Sequence, residues 1–423
     1  MGKTAKVRNG LAGIALALTL IGLLMPAHSA TAKEAIRIGV LSPGSGTFAA
    51  FGQYLREGFE SYLKQVNYTV AGRKIEVVHE DDKMDPRTGL IKAKRLVEEM
   101  KVHAIAGVVS SAVAYAIKDY VVSNKIPFIC TTATAENLTS RDFSPYFFRT
   151  TNAATQVPHV FADWLYKQGY RRVILMAPDY STGYEHLGAF CRVFTAAGGE
   201  VVDEIYFPLG TIDFAPYLAK INPDKAAAVV ASGAGNDAIH LVKQYAEYGL
   251  KEKIPLLSLT LITDDVLPQI GNAAVGIVDT FFAHFNDKGP SFLNTNEHKQ
   301  FIRQFKETFG RAPIVSAESA YVGAQLIVKA LEQIGGNVED ADAFIKAMEK
   351  VDIVAPRGPF KLDKFHNPVQ NVYISVVKKT DNTLYFEIKE TYPNVSQFWK
   401  WSPEEFMKMP AYKDVKGQCV KKK

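Results

Sequence analysis

Short apolar strands alternate with helical segments along most of this chain, and this alternation constrains the fold more than any other feature. Strands are predicted at 35–41, 74–79, 103–109 and 127–130, each followed by a turn or a helical pattern. Most of these strands are nearly continuous apolar runs, which is typical of a parallel sheet covered by helices on both faces. The pattern predicts an α/β fold.

A second unit of the same kind begins after residues 149–152. Its predicted elements are strands at 172–177, 201–207 and 226–231 and helices at 186–197 and 238–248. Two similar α/β units in tandem predict two lobes with a cleft between them. Ligands of open α/β sheets bind outside the carboxyl ends of the strands, so the loops that directly follow strands are the candidate site.

The first 32 residues have the three parts of an export signal. Three basic residues precede an apolar run at 11–25, and Ala30, Thr31 and Ala32 fit an A-x-A cleavage site. The apolar run is shorter than the roughly 20 residues of a membrane-spanning helix. We predict a signal peptide at 1–32, cleavage after Ala32 and export to a bacterial periplasm, with an uncleaved signal anchor as the alternative.

Length and charge limit the function classes. Removal of the signal leaves 391 residues (423 − 32), which is too long for one compact core. The whole chain has 49 basic and 44 acidic residues, and the signal holds three of the basic ones, so the expected net charge is +2 (46 − 44). A small, dispersed charge argues against a nucleic-acid partner. The basic cluster at 416–423 is interpreted as a solvated tail.

The chain has three cysteines, whereas an exported protein that relies on disulfides usually has an even number. Cys130 lies in a strand-like run and Cys191 in a helix-like run. Both are interpreted as buried small apolar residues, with a Cys130–Cys191 bridge as the alternative.

Patterns typical of catalysis are missing. The sequence has no G-x-S-x-G, H-E-x-x-H or C-x-x-C motif and no G-x-x-x-x-G-K-[ST] phosphate-binding loop, and its nine histidines lack metal-ligand spacing. His186 and His240 are interpreted as surface or boundary residues of helices. Turns at 44–49 and 233–238 match G-x-G-x-x-A, but an exported protein meets little free NAD, so we interpret them as glycine turns before helices. We expect no enzyme activity, cofactor or metal.

Two loops rich in hydroxyl groups follow neighbouring strands of the first unit. One spans 107–112 and includes Ser110 and Ser111, and the other spans 130–136 and includes Thr132 and Thr134. Serine and threonine at helix openings are often N-caps only. Because both loops lie at adjacent strand ends on the cleft side, their hydroxyl and backbone N–H groups would converge, an arrangement that suits a carboxylate.

In order and spacing, these stretches resemble the periplasmic solute-binding proteins of ABC transporters, in the branched-chain amino-acid-binding (type I) family. The matching stretches are 36–42 with Gly44, 81–86, 107–111, 131–138 and 148–150. The resemblance covers essentially all of the chain after residue 32. It implies two Rossmann-like lobes joined by three crossover strands, with the ligand trapped by hinge closure.

The resemblance also implies lobe boundaries and site residues. The implied lobes are 33–150 with 283–362 and 151–282 with 363–423, with crossovers near 149–152, 280–285 and 360–368. In the family, a serine and a threonine that fall on Ser111 and Thr134 hold the ligand's carboxylate. The full set of implied ligand-binding residues is Ser110, Ser111, Thr132, Ala133, Thr134, Phe51 and Tyr180.

The sequence departs from the amino-acid-binding members at two positions. Those members have an acidic residue for the ligand's ammonium group, whereas the loop at 258–263 has no carboxylate before Asp264, which leaves Asp264 or Asp237 as alternatives. A tyrosine expected near Ala234 is absent, which leaves room for a larger, flatter ligand. A buried ammonium without a counter-charge is costly.

We therefore predict an aromatic monocarboxylate ligand, similar to benzoate or coumarate, rather than a branched-chain amino acid. Segments at 232–234, 242–245, 356–360 and 366–370 resemble the branch associated with aromatic acids. The predicted partner is an ABC permease in the inner membrane, and the predicted state is a monomer. The alternatives are a branched-chain amino-acid-binding protein and a receptor module that signals to a membrane sensor, with an exported hydrolase as a third reading.

Overall fold

The computed structural model describes residues 34–46 and 48–420, so the predicted signal peptide at 1–32 lies outside the described residues. The chain forms two sheets, each flanked by helices, and this confirms the predicted two-lobed α/β fold. None of the helices in the described ranges is long and apolar enough to cross a membrane.

The first sheet has six strands in the order β2-β3-β1-β4-β5-β6. The strands are β1 Ile36–Ser42, β2 Thr69–Val70, β3 Arg73–Asp81, β4 Ala104–Gly107, β5 Phe128–Cys130 and β6 Phe147–Arg149. The helices of this segment are α1 Ala49–Gln65, α2 Pro86–Glu98 and α3 Ser111–Ser123, with a 3-10 turn at Glu136–Thr139. All strands except β2 pair in parallel, as their continuous apolar pattern predicts.

The second sheet begins with a parallel half that runs β8-β7-β9-β10-β11. Its strands are β7 Arg172–Pro178, β8 Glu200–Phe207, β9 Ala228–Ala231, β10 Leu256–Leu259 and β11 Val278–Phe281. The helices are α4 Gln156–Lys167, α5 Ser181–Ala196, α6 Ala215–Leu218, α7 Gly235–Glu247 and α8 Leu267–Ile270, with a 3-10 turn at Gly271–Ala274.

An antiparallel half, which the sequence patterns did not predict, completes the second sheet. Its strands are β12 Ile353–Ala355, β13 Gly358–Leu362, β14 Pro368–Thr380 and β15 Thr383–Val395. β14 pairs antiparallel with β11, β13 and β15. The structure thus places the strands at 353–362 in the second sheet, whereas the resemblance assigned 283–362 to the first lobe. The lobe boundary near the implied crossover at 360–368 stays a prediction.

Three helices return from the second sheet to the first lobe. They are α9 Asn296–Phe309, α10 Val315–Gln333 and α11 Ala341–Met348. α10 packs closely along α1, because Gly58 lets the two backbones approach: a Cβ at Gly58 would lie 1.9 Å from the Ala317 carbonyl oxygen. On α1, Leu55, Phe59 and Leu63 are buried at the helical spacing seen in the sequence.

A buried ion pair lies where the connections between the sheets meet. The side chains of Arg357 and Glu318 are 0% exposed, and Arg357 Nη2 lies 2.7 Å from Glu318 Oε2. The same guanidinium donates to the Thr150 carbonyl oxygen (2.6 Å) and to Gln370 Oε1 (2.8 Å). Its carbon lies 4.8 Å from the ring centroid of Phe282. One charge therefore contacts residues that follow β6 and β11 as well as β14 of the second sheet.

The end of the chain, residues 402–420, forms what we term the C-terminal strap. It contains α12 Pro403–Lys408 and a 3-10 turn at Tyr412–Val415. From the first lobe, Arg141 donates to the carbonyl oxygens of Phe406 (3.0 Å) and Met409 (2.7 Å). From α4, His159 Nε2 lies 2.7 Å from the Tyr412 hydroxyl. The strap therefore packs against both halves of the molecule.

A disulfide between Cys191 and Cys419 fixes the strap to α5. Both the interpretation of Cys191 as a buried thiol and the alternative Cys130–Cys191 bridge are therefore wrong, and Cys130 is free and buried. In the described part of the predicted solvated tail, residues 416–418 are exposed as predicted, whereas Cys419 is only 7% exposed and Lys416 pairs with Asp179. Cys419 reaches Cys191 across a separation of 228 residues, which no local pattern indicates.

The double variant Cys191→Ala/Cys419→Ala should have a free energy of unfolding about 2–4 kcal/mol lower than the wild type. The reason is that the bridge closes a long loop in the unfolded chain. Denaturant unfolding with and without reductant measures this. Cys130→Ala is the control and should keep its response to reductant. Equal responses of the wild type and the double variant to reductant would contradict the bridge.

Candidate ligand-binding site

A cavity of about 180 Å³ lies between the loops that follow the strands of the two sheets. Its apolar lining residues are Phe51, Pro178, Tyr180, Gly183, Gly233, Ala234, Phe281, Phe282, Ile314 and Val315. Its polar lining residues are Thr132, Thr134, Thr151, Asn152, Thr182, His186, Ser232, Thr260, Thr263, Asp265 and Ser316. The loops after β5, β7, β9 and β10 all contribute, as expected for the carboxyl ends of parallel strands. A wider depression, of about 500 Å³, lies near the start of α11, away from these strand ends.

Four of the seven residues implied by the resemblance lie in this cavity: Phe51, Thr132, Thr134 and Tyr180. The other three are placed elsewhere among the described residues. The Ser110 hydroxyl caps α3 by accepting from the Val113 N–H (3.4 Å), and the Ser111 hydroxyl accepts from the Ala135 N–H (3.2 Å). Ala133 is buried. Ser111 therefore hydrogen-bonds to the loop at 130–136, termed the threonine loop, instead of lining the cavity.

Two buried hydroxyl groups in the cavity wall have no hydrogen-bond partner within the described ranges. They are Thr132 Oγ1, after β5, and Ser316 Oγ, in the first turn of α10. A buried hydroxyl without a partner is unfavourable. Both hydroxyls therefore have unused hydrogen-bonding capacity beside the cavity.

The N-termini of three helices also contribute to the cavity wall. Tyr180 precedes α5, Ala234 precedes α7 and Ile314 precedes α10, and none of these N-caps makes a side-chain cap bond to the parts of the chain described. The lining set includes all three residues. The first N–H groups of a helix carry partial positive charge and attract anions. The cavity therefore favours a negative charge without a lysine or arginine in its wall.

One carboxyl group reaches the cavity, and it belongs to Asp265. Its Oδ1 accepts from Thr263 Oγ1 at 2.7 Å, and burial raises its pKa. The sequence analysis did not name Asp265 as a possible counter-charge for an ammonium group. The two alternatives named from the sequence are used elsewhere, because Asp264 accepts from the Phe285 N–H (2.9 Å) and Asp237 from the Gly210 N–H (3.0 Å).

His186 is a cavity residue that the sequence analysis placed wrongly at a surface or boundary. It is 8% exposed, and its Nδ1 lies 2.6 Å from Ser232 Oγ. Burial lowers its pKa to about 4, so the imidazole is neutral at pH 7. The spacing along the sequence could have indicated this placement. His186 follows Thr182 by four residues on α5, which puts both side chains on one helix face.

A buried carboxyl next to His186 joins the two lobes. Glu185 Oε2 accepts from the Glu136 N–H of the first-lobe loop at 3.3 Å. Burial, assisted by the Glu136 carboxylate, raises the pKa of Glu185 to about 8, against the opposing effects of Arg149 and Lys413. Glu185 is therefore largely protonated at pH 7.

Two α/β lobes with a cavity at the carboxyl ends of their strands define a two-lobed ligand-binding protein. No cluster of three His, Cys, Asp or Glu side chains within 34–46 and 48–420 could hold a metal ion. The family model described as "Periplasmic binding protein" matches residues 35–382, and the chain belongs to this family. The resemblance to solute-binding proteins of ABC transporters is thereby confirmed.

Individual relatives agree with this assignment. The chain is 30% identical over 378 residues to Leu/Ile/Val-binding protein homolog 6 of Brucella melitensis, covering 88% of this chain and 95% of that protein. It is 34% identical to an ABC transporter substrate-binding protein from Sphaerobacter thermophilus, with a TM-score of 0.82 over 86% of this chain and 99% of that one. A Rhodopseudomonas palustris solute-binding protein in complex with 3,4-dihydroxybenzoic acid is 32% identical, with a TM-score of 0.79 over 86% and 98% of the two chains.

Thr132→Val should weaken the binding of a carboxylate ligand by about 10- to 150-fold, because a hydrogen bond to a charged group contributes about 1.5–3 kcal/mol. Calorimetric titration measures the change. Thr131→Val is the matched control, since the Thr131 hydroxyl is also buried and unpartnered in the described part of the chain but does not line the cavity. Equal losses in the two variants would point to a structural effect instead.

The raised pKa of Glu185 predicts a pH-dependent stability. Between about pH 5 and pH 8 the folded protein holds this proton and the unfolded chain has released it, so the free energy of unfolding should fall as pH rises. Glu185→Gln should flatten this fall, as measured by denaturant unfolding at pH 5, 6.5 and 8. Glu247→Gln, exposed on α7, is the control and should keep the wild-type slope.

Proposed function

We propose that this protein captures a small aromatic monocarboxylate in the cavity and delivers it to an ABC permease of the inner membrane. The lobes close on the ligand, and no reaction is catalysed. The observation that carries the proposal is the pairing of an anion-binding end, formed by free hydroxyls and helix N-termini, with a wall of aromatic rings. The signal peptide at 1–32, the periplasmic destination and the monomeric state belong to the same proposal.

The carboxylate is proposed to bind where the loop after β5 meets the start of α10. Thr132 and Ser316 supply hydroxyls there that have no hydrogen-bond partner among the residues the structure describes, and α10 adds the positive end of a 19-residue helix. Thr134 lies in the same loop after β5 and also lines the cavity. Hydrogen bonds to an ionised acceptor are stronger than those between neutral groups, so this end suits an acid that is ionised at neutral pH.

The rest of the cavity suits a flat ring. Phe51 comes from α1, Tyr180 from the loop after β7, and Phe281 and Phe282 from the end of β11. Aromatic faces pack well against a ligand ring. An apolar cavity of about 150 Å³ is large enough for benzene, so about 180 Å³ is of the size that a single-ring acid requires. Phe51 and Tyr180 would clamp the ring from opposite lobes.

A branched-chain amino acid is the second candidate, and Asp265 is the observation that favours it. Its carboxyl lines the cavity and could meet an ammonium group. The relatives named for leucine, isoleucine and valine are consistent with such a ligand. Against it, burial raises the pKa of Asp265, which disfavours the ionised form that an ammonium needs. A receptor module would use the same cavity and differ only in its membrane partner.

Calorimetric titration with benzoate, 4-hydroxybenzoate, coumarate, leucine and valine tests the ligand class. We expect saturable binding of at least one aromatic acid and weak or no binding of the two amino acids. Asp265→Asn separates the candidates, because it should abolish amino-acid binding and affect aromatic acids little. Tight leucine binding with no response to any aromatic acid would refute the aromatic proposal and leave the family assignment intact.

A further inference from the structure

We propose that His186 and Ser232 form a subsite for a ring hydroxyl, so that the preferred ligand is a phenolic acid rather than an unsubstituted one. This inference rests on the proposed function, since it requires an aromatic acid in the cavity. It adds a specificity-determining pair that lies in the second lobe, opposite the threonine loop that would hold the carboxylate.

The geometry leaves one ring nitrogen available to a ligand. His186 lies on the first two turns of α5 and Ser232 follows β9, and both line the cavity. The Nδ1 atom is 2.6 Å from Ser232 Oγ. Within the described residues, no protein group bonds to the Nε2 atom, and it is not among the fully buried polar atoms that lack a partner. Nε2 therefore keeps access to the cavity.

The surroundings fix the orientation of the imidazole. His186 is 8% exposed and Ser232 is 2% exposed, so both side chains are surrounded by protein on most sides. The Ser232 hydroxyl makes its side-chain bond to this ring, and the Ser232 N–H is held by the Met176 carbonyl oxygen at 2.8 Å. The serine is thereby anchored to the sheet, and the ring is positioned before any ligand arrives.

The chemistry of a neutral imidazole selects a hydroxyl. Burial lowers the pKa of His186 to about 4, so the ring offers either a donor or an acceptor at Nε2 and no charge. A phenolic hydroxyl both donates and accepts, and it can complete the pair in either tautomer. A ligand ammonium would gain no ion pair here, and an apolar ring edge would leave Nε2 without a protein or ligand partner.

The expected discrimination follows from that unpaired group. When a site presents a buried polar group to a ligand that lacks the matching hydroxyl, the missing bond costs about 1–3 kcal/mol, which is about 5- to 150-fold in Kd. The subsite can therefore distinguish acids that share one ring and one carboxylate.

The test is the ratio of the Kd for benzoate to the Kd for 3- or 4-hydroxybenzoate, measured by calorimetry at pH 7. We expect the wild type to prefer one hydroxybenzoate by about 5-fold or more. His186→Phe keeps a ring of similar size and removes the nitrogen, so it should bring this ratio close to one. His240→Phe, on α7 and outside the cavity lining, is the matched control and should keep the wild-type ratio.

The outcomes separate this inference from the proposed function. If the wild type binds benzoate and both hydroxybenzoates equally, the subsite is refuted and the aromatic ligand class stands. If His186→Phe keeps the full preference, the hydroxyl is recognised elsewhere and the assignment to His186 is wrong. If no aromatic acid binds the wild type, the proposed function itself fails. Circular dichroism of each variant verifies that it is folded. Ser232→Ala provides a second variant, which should lower the ratio of the benzoate Kd to the hydroxybenzoate Kd because the His186 imidazole is no longer held in place.

Discussion

The buried ion pair between Arg357 and Glu318 is the interaction on which the arrangement of the lobes depends. Both side chains are 0% exposed, and the guanidinium also holds the Thr150 carbonyl oxygen and Gln370. Two buried charges are tolerated only when each is fully paired and hydrogen-bonded, and removing one partner of such a pair costs about 3–5 kcal/mol. The pair therefore fixes where the connecting segments pass each other.

The cavity is built from the same segments as this ion pair. Ser316 precedes Glu318 by two residues on α10, Thr151 and Asn152 directly follow Thr150, and Phe282 lies under the Arg357 guanidinium. Each contact of the ion pair thus positions a nearby part of the cavity wall. A change in the angle between the lobes would move these lining residues relative to the loops after β5 and β7. Ligand contacts made in only one arrangement would shift that equilibrium.

The sequence predicted the parts of this design that follow from local patterns. The continuous apolar strands that precede helices were enough to predict the two α/β lobes. The hydroxyl-rich turns that follow strands were enough to predict Thr132 and Thr134 as site residues. The missed features depend on distant parts of the chain: the Cys191–Cys419 bridge, the return of α10 to α1, and the placement of Ser316 in the cavity. His186 was missed for another reason, because a histidine on a helix has the same pattern whether that face meets solvent or a cavity.

The charges around the cavity explain how one site could admit an acid and still distinguish its substituents. Arg149 is buried and donates to the Ala135 carbonyl oxygen and Asn367 Oδ1, behind the threonine loop. Burial holds His186 neutral and, with the Glu136 carboxylate, keeps Glu185 largely protonated at pH 7. The positive ends of three helices then favour any carboxylate alike, and the Asp265 carboxyl opposes them only in its ionised form, which burial disfavours by raising its pKa. Discrimination between acids must therefore come from neutral groups at the far end of the cavity, where a hydrogen bond is either completed or left unmade.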